Sequence, residues 1–356
     1  CILSFPCHRI IWFSGSGFLY TPSVSGMCLM NARNLTVLML LLLLLLLLSF
    51  MSLTRGTLPV SNDQLWQLLR GDAPRGITMV VLDWRLPRVV AALITGAALA
   101  LSGAIFQSLL RNPLGSPDVL GFNTGAFSAV LLAMVFLPGK PAILALAALA
   151  GGLVTAAIVY LFSWRQGVAT FRLIIVGIGI RALLMSLNSW LITTASLDTA
   201  LSAGLWSAGS LNGISWNSLP PVALILLLAT VATALLAKRM RLLEMGDDMA
   251  AALGIPVERS RMLLMLVGVV LTAVSTALIG PVSFVALVAP QIASRLCRHG
   301  RYQLIVSAFS GAALLLAADY IATHVFVPSQ LPVGVVTVSL GGLYLMSLLV
   351  REARRK

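Results

Sequence analysis

A chain of 356 residues that is 59% hydrophobic, only 10% charged and of mean hydropathy +1.00 lies outside the range of soluble globular domains, which are nearer half apolar and a quarter charged. Its formal net charge of +13 does not indicate nucleic-acid binding, because the basic residues are scattered over many short connections between apolar runs, as membrane insertion requires. The expected fold class is all-α, a polytopic membrane protein of about ten crossings, since apolar runs long enough at ~1.5 Å per residue to cross ~30 Å of hydrocarbon recur along the chain.

Residues 1–29 begin at Cys1, show no sustained period and are read as an uncertain N-terminal extension ahead of a start at Met27 or Met30. The rival readings are a signal peptide or a lipidated Cys1, but no charged leader followed by a small-residue cleavage site is visible. Residues 30–356 read as one transmembrane domain with crossings at 35–53, 87–110, 120–137, 142–162, 173–195, 219–237, 262–279, 283–297, 303–325 and 331–350. The eighth is short and interrupted by Pro290. Small residues in "ITGAALALSGA" (94–104) let helices approach closely.

Within this series three places stand out. The segment "RNPLGSPDVLGFNTGA" (111–126) holds two prolines, three glycines, an arginine and an aspartate. Such backbone is acceptable at membrane depth only where protein buries it or water reaches it, so it is expected to line a pathway, with a plain helix-connecting turn as the alternative. Arg181, in "VGIGIRALL", is a permanent cation inside an apolar run. It should face a cavity, pair with Asp319 or point into a subunit interface. The loop "KRMRLLEMGDDMAAALGIPVERSRM" (238–262) has an acidic, helix-compatible centre, a Gly254 stop and a Pro256 restart. It offers a surface to a soluble partner, or else is a solvated connection.

Counting Lys and Arg with the first crossing running outward puts sixteen of the 24 on the inner side. The outer side keeps Arg55, Arg70, Arg75, Arg85, Arg88 and Lys140, leaving Arg9 and Arg181 unassigned, so both termini are expected in the cytoplasm. Three of the four cysteines fall in the first 29 residues and the histidines (His8, His299, His324) are far apart. No disulfide framework, metal site, cofactor site or catalytic group is expected, and no phosphate-binding loop is present. Transport would then be driven by an ion gradient or by a borrowed ATPase.

"WRLPRVVAALITGAALALSGAIFQSLLRNPLGSPDVLGFNTGA" (84–126), "EMGDDMAAALGIPVERSR" (244–261), "GPVSFVALVAPQIASRL" (280–296) and "LPVGVVTVSLGG" (331–342) together resemble the permease family of iron-siderophore and vitamin B12 ABC importers. The likeness covers the chain from about residue 33 onward. It is greatest to the branch that handles ferric enterobactin, through "RNPLGSPDVLGFNTGA", "FRLIIVGIGIRA" (171–182) and "KRMRLLEMGDD" (238–248).

The resemblance implies a fold like that of the vitamin B12 permease, ten helices in two inverted five-helix halves, set in the lipid of a bacterial inner membrane. It implies a second permease subunit, in a heterodimer, two cytoplasmic ATPases that use the ATP, and a periplasmic siderophore-binding protein. Iron would travel only as the siderophore chelate. By the same likeness Asn112, Pro113, Leu114, Thr170 and Phe171 form a cytoplasmic gate. Arg85 and Arg88, three apart and on one face if helical, dock the binding protein or else snorkel to the interface. Glu244, Met245, Gly246, Asp247, Asp248, Ala252, Leu253 and Gly254 seat in the ATPase. Arg181 is then expected to attract the polyanionic chelate along the pathway. Remaining alternatives are another ferric siderophore, haem or cobalamin as cargo and, outside the family, a gradient-driven secondary transporter.

Overall fold

The structure, a computed structural model, describes residues 32–56, 58–137, 141–164, 170–297, 302–325 and 330–353. The extension 1–29 and the basic residues Lys140, Arg165, Arg298, Arg301, Arg354, Arg355 and Lys356 lie outside the described residues.

Helices occupy every expected crossing. In chain order they are α1 (Ala32–Thr54), α2 (Asn62–Arg70), α3 (Arg75–Thr78), which continues through a π-helical stretch (Met79–Arg85) into α4 (Leu86–Leu110), α5 (Phe122–Phe136), α6 (Pro141–Ser163), α7 (Thr170–Thr194), α8 (Leu197–Ser207), α9 (Leu219–Glu244), α10 (Asp247–Ala252), α11 (Val257–Ile279), α12 (Val285–Leu296), α13 (Gln303–His324) and α14 (Val333–Ala353). Seven of the described helices are long and apolar enough to span a bilayer.

Three crossings have shorter apolar stretches, Val333–Leu348 in α14 and the whole of α5 and α12, and the last two are too short to span as helices. With 15 and 12 residues, α5 and α12 extend only ~22 and ~18 Å at ~1.5 Å per residue, against a core of ~30 Å. The irregular segments before them, 111–121 and 280–284, make up the missing depth. Both helices begin at a left-handed residue, Gly121 (φ 83°) and Phe284 (φ 71°). A left-handed phenylalanine costs about 1 kcal/mol or more and persists only where packing holds it.

The packing is centred on α4, which touches α13, α12, α11 and α9. Contacts recur in pairs. α4 lies against α13 and α12 as α11 lies against α6 and α5; α5 packs on α6 as α12 packs on α13; and α6 meets α7 as α13 meets α14. This is the arrangement of two related halves, α1 with α4–α7 and α9 with α11–α14, that cross at α4 and α11. At the crossing Ser102 Oγ donates to the Gly268 carbonyl at 2.7 Å and lies 2.6 Å from Thr272 Oγ1. A hydroxyl pair buried in this way has no competing water and pins the register of the two helices.

Small residues make the approach possible. A Cβ at Gly96 would stand 2.6 Å from the carbonyl oxygen of Gly311 on α13, and one at Gly103 would overlap the backbone of Ala286 on α12. Both helices meet α4 backbone to backbone.

Gly96→Ala should therefore destabilise the detergent-solubilised protein by about 1–3 kcal/mol through overpacking. Gly204→Ala on α8, where nothing lies within 4 Å, should be neutral or stabilising by up to about 1 kcal/mol. Thermal unfolding of both variants in one detergent checks the difference.

Candidate functional site: two half-helices meeting beside Arg181

The amino-terminal ends of α5 and α12 come together. Asp118, in the turn before α5, accepts hydrogen bonds from the Asn123 side-chain amide and from the backbone N–H of Phe284 at the start of α12. Asn123 in turn accepts from Thr276 Oγ1 of α11 at 2.9 Å. One carboxylate thus closes the junction between the halves. The charge of Arg181 acts on Asp118 from α7.

Asp118, Asn123, Thr124, Arg181, Asn188 and Ser283 border a common cavity of about 310 Å³. Arg181 stands eleven residues into the 25-residue α7, ~16 Å from its first residue and close to mid-depth. Among the described residues no oxygen hydrogen-bonds to its guanidinium. Asn188 is 5% exposed and among the described residues its Oδ1 has no partner. A cation, two positive helix ends and several side-chain amides and hydroxyls converge on one space, with a single carboxylate opposed to them. Such an arrangement attracts anions.

At the other end of the 111–121 segment the turn is tied on two sides. Asn112 Oδ1 accepts from the Leu114 amide at 2.9 Å, and the Pro113 carbonyl accepts from Gln291 Nε2 of α12 at 2.8 Å. Thr170 Oγ1, at the start of α7, donates to the Leu109 carbonyl at 3.4 Å. The five expected gate residues are therefore brought to one end of the bundle, and Leu114 and Phe171 are exposed there. A cavity of about 570 Å³ lies beside them, bordered by Arg111, Asn112, Pro113, Glu244 and Gln291.

Arg111 links this turn to the 238–262 loop. It is left-handed (φ 47°), donates to the Leu243 carbonyl at 2.8 Å and pairs with Asp247 at 2.5 Å. Asp247 also binds Arg261 at 2.9 Å, and Arg261, whose side chain is only 6% exposed, holds Glu258 at 3.2 Å. Burial alone would raise the Asp247 carboxyl, but the hydrogen bonds and charges of Arg261 and then Arg111 outweigh it and lower its pKa. Asp247 thus faces its own chain. The outward surface of the loop is an apolar row, Met245, Met249 and Leu253, all exposed at i, i+4 and i+8.

On the opposite end, Arg85 and Arg88 do not form a free pair. The π-helical turn separates them: Arg85 donates to the Leu53 and Leu58 carbonyls at 2.7 and 2.6 Å, whereas Arg88 makes a two-pronged ion pair with Asp319 at 2.7 and 2.9 Å and bonds Asn212 at 2.6 Å. Asp319 is buried. The alternative pairing of Arg181 with Asp319 is thereby excluded, because Arg88 from α4 reaches the α13 carboxylate first and the acid near Arg181 is Asp118.

Asp118, Asn188, Met249 and the left-handed Phe284 had escaped the sequence reading. For Asp118 a signal existed, a carboxylate in the irregular segment of a chain with an intramembrane arginine. Met249 shows in the four-residue spacing of Met245, Met249 and Leu253. Phe284 and Asn188 had none.

Known proteins are similar to this chain in sequence and fold. The FecCD transport family matches residues 42–351. The ferric enterobactin transport system permease protein FepG of Escherichia coli (strain K12) is 60% identical over 304 residues, spanning 85% of this chain and 92% of that protein. The achromobactin transport system permease protein CbrC of Dickeya dadantii (strain 3937) is 37% identical over 85% and 87% of the two chains. A solved structure of an inward-facing metal-chelate type ABC transporter superposes with a TM-score of 0.81 at 27% identity, covering 89% of this chain and 99% of that one.

The Arg111–Asp247–Arg261 network gives a graded prediction. Both Arg111 and Asp247 are more than a third exposed, so a double-mutant cycle between them should yield only about 0.5–1 kcal/mol. Asp247→Asn, which leaves the buried Arg261 with Glu258 as its acidic partner, should cost more, about 1–2 kcal/mol at neutral pH. Because the folded pKa lies below the unfolded value of about 3.9, this stabilisation is present above that value and disappears as pH falls through the folded pKa. Thermal unfolding of wild type and Asp247→Asn at pH 7 and pH 3 should show the gap narrow on acidification.

Proposed function

This chain belongs to the FecCD transport family, and from that premise we propose that it is the permease subunit of an ABC importer carrying a ferric siderophore, ferric enterobactin, across the bacterial inner membrane. The observation that carries the cargo assignment is the Arg181 cavity, which offers a mid-depth cation between two helix N-termini to a ligand bearing several negative charges. The 60% identity to a ferric enterobactin permease supports the same ligand. Asp118 opposes Arg181, so the anion is attracted without being trapped. A site for passage needs that balance, since conduction requires both capture and release.

The energy comes from two cytoplasmic ATPases that dock on the 238–262 loop, with Met245, Met249 and Leu253 as the apolar contact and Glu244, Asp248, Ala252 and the turns at Gly246 and Gly254 shaping it. Asp247 acts behind that surface, carrying displacement of α10 through Arg111 to the turn of Asn112, Pro113 and Leu114. Together with Thr170 and Phe171 this turn forms the cytoplasmic gate. A second, different permease subunit packs on the exposed apolar faces of α7 and α14. Both termini lie in the cytoplasm, and the end carrying Arg85 and Arg88 receives the periplasmic siderophore-binding protein. A gradient-driven carrier would need a chain of titratable groups. Here Asp319 is committed to Arg88, which favours the ATP-coupled reading.

Two measurements test this. In cells lacking the native subunit, Arg181→Gln should reduce ferric enterobactin import about tenfold or more, a loss of at least ~1.4 kcal/mol of ligand stabilisation, while protein level is unchanged. An equal import rate removes the cargo role of Arg181. Met249→Ala combined with Leu253→Ala should lower the amount of ATPase that co-sediments with membranes, and full retention would place the ATPase contact elsewhere.

A further inference from the structure

The repeat between the two halves is broken in one place. α1 packs along α13, but α9, in the related position, packs on α4, α11 and α10. Ser108 Oγ of α4 donates to the Met240 carbonyl of α9 at 3.4 Å, and Ser307 Oγ of α13 donates to the Ala100 carbonyl of α4 at 3.3 Å. Each helix is fastened to α4, and they do not pack along each other. A groove of about 720 Å³ is left between them, floored by Leu101, walled by Thr230, Thr233, Ala234 and Ala237 of α9 and by Leu304, Ile305, Ala308 and Phe309 of α13.

Its dimensions and chemistry are those of one lipid leaflet. From Thr230 to Arg241 the groove follows α9 for eleven residues, ~16 Å, half of a ~30 Å hydrocarbon core. Apart from the hydroxyls of Thr230 and Thr233, the second of which donates back to the Ala229 carbonyl of its own helix, the walls are apolar, and Lys238 and Arg241 stand together at one end. Both are exposed, and among the described residues neither is in ion-pair contact with a carboxylate, Glu244 of the next turn included. That end is the one with the 238–262 loop, which the distribution of basic residues assigns to the cytoplasmic side.

We propose that this groove is a binding site for an anionic phospholipid of the inner leaflet, its acyl chain lying between α9 and α13 and its phosphate held by Lys238 and Arg241. A slot open to hydrocarbon at this depth fills with chain rather than water, and a cationic pair at its mouth selects the head group by charge. The lipid completes the flank that α1 closes in the other half. It also braces α9, whose inner end carries the loop and Arg111's partner carbonyl, Leu243.

The test uses the full chain purified with its partner subunits in neutral detergent, with phosphatidylglycerol, phosphatidylcholine or inorganic phosphate added. Native mass spectrometry should find phosphatidylglycerol retained over phosphatidylcholine, and the thermal midpoint should rise with phosphatidylglycerol alone. Lys238→Gln and Arg241→Gln should each lower retention about fivefold. Ala234→Phe, which fills the groove with both charges intact, should lower it too, and Arg239→Gln, which removes a charge outside the groove, should not. Equal retention of the two lipids, equal loss in Arg239→Gln, or stabilisation by phosphate alone would overturn the proposal. So would an Ile305→Cys variant that crosslinks to another protein subunit in membranes, since a partner helix would then occupy the slot.

Discussion

Hydrocarbon offers no hydrogen bonds, so any backbone group left unpaired at membrane depth must find a partner inside the protein. The whole arrangement follows from meeting that demand at one point, where α5 and α12 start in mid-membrane instead of at its surface. Their first amides and their positive ends need an acceptor. At the start of α5 the backbone carbonyls of Asp118 and Pro117 accept from the Gly121 and Phe122 amides, while the Asp118 carboxylate ties the two starts together, accepting from the Asn123 side-chain amide of α5 and from the Phe284 amide before α12. Arg181 then balances the carboxylate, and the space that the two short helices fail to fill remains as a cavity. The same compromise that lets the chain span with incomplete helices creates a charged opening within it.

Two consequences run outward from this junction. Toward one face, Arg88 and Asp319 join α4 to α13 and fix the far end of the central helix. Toward the other, the 111–121 segment ends in a turn with few independent degrees of freedom: Gln291 holds Pro113 from α12, and Arg111 is spent on Leu243 and Asp247. Movement of the short α10 must pull on that turn or break a charge network containing a nearly buried arginine. Small residues at the α4 crossings allow such movement to pass between helices as sliding contact, since backbones, not interlocked side chains, meet there.

Much of this architecture could be read from the residues. Hydropathy located all ten apolar helices, because a bilayer imposes length and composition on each one independently. The irregular 111–126 segment, Arg181 and the 238–262 loop stood out by their own residues, and the family likeness added roles to them. What sequence could not supply was pairing. Arg88 and Arg85 looked like a matched outward pair at helical spacing, yet the π-helical turn ahead of α4 rotates one toward α1 and the other toward α13. Asp319 seemed available to Arg181, and only the packing of α4 on α13 decides otherwise. Asp247 looked like a surface acid, and its inward direction depends on where α11 places Arg261. Each case concerns which of several groups meet, a question settled by tertiary contacts between residues 14 to 231 positions apart.

The central claim is that the junction of the two half-helices opens on the route taken by the cargo. It is tested most directly by placing a single cysteine at Ser283, which borders the cavity, in a chain whose other cysteines are replaced, and by following its reaction with a charged, membrane-impermeant thiol reagent in the assembled transporter. The account expects modification whose rate changes between the nucleotide-free and ATP-bound states. A cysteine there that stays inert to the charged reagent in every state, yet reacts with a lipid-soluble one, would show that the junction faces lipid or packed protein and would contradict it.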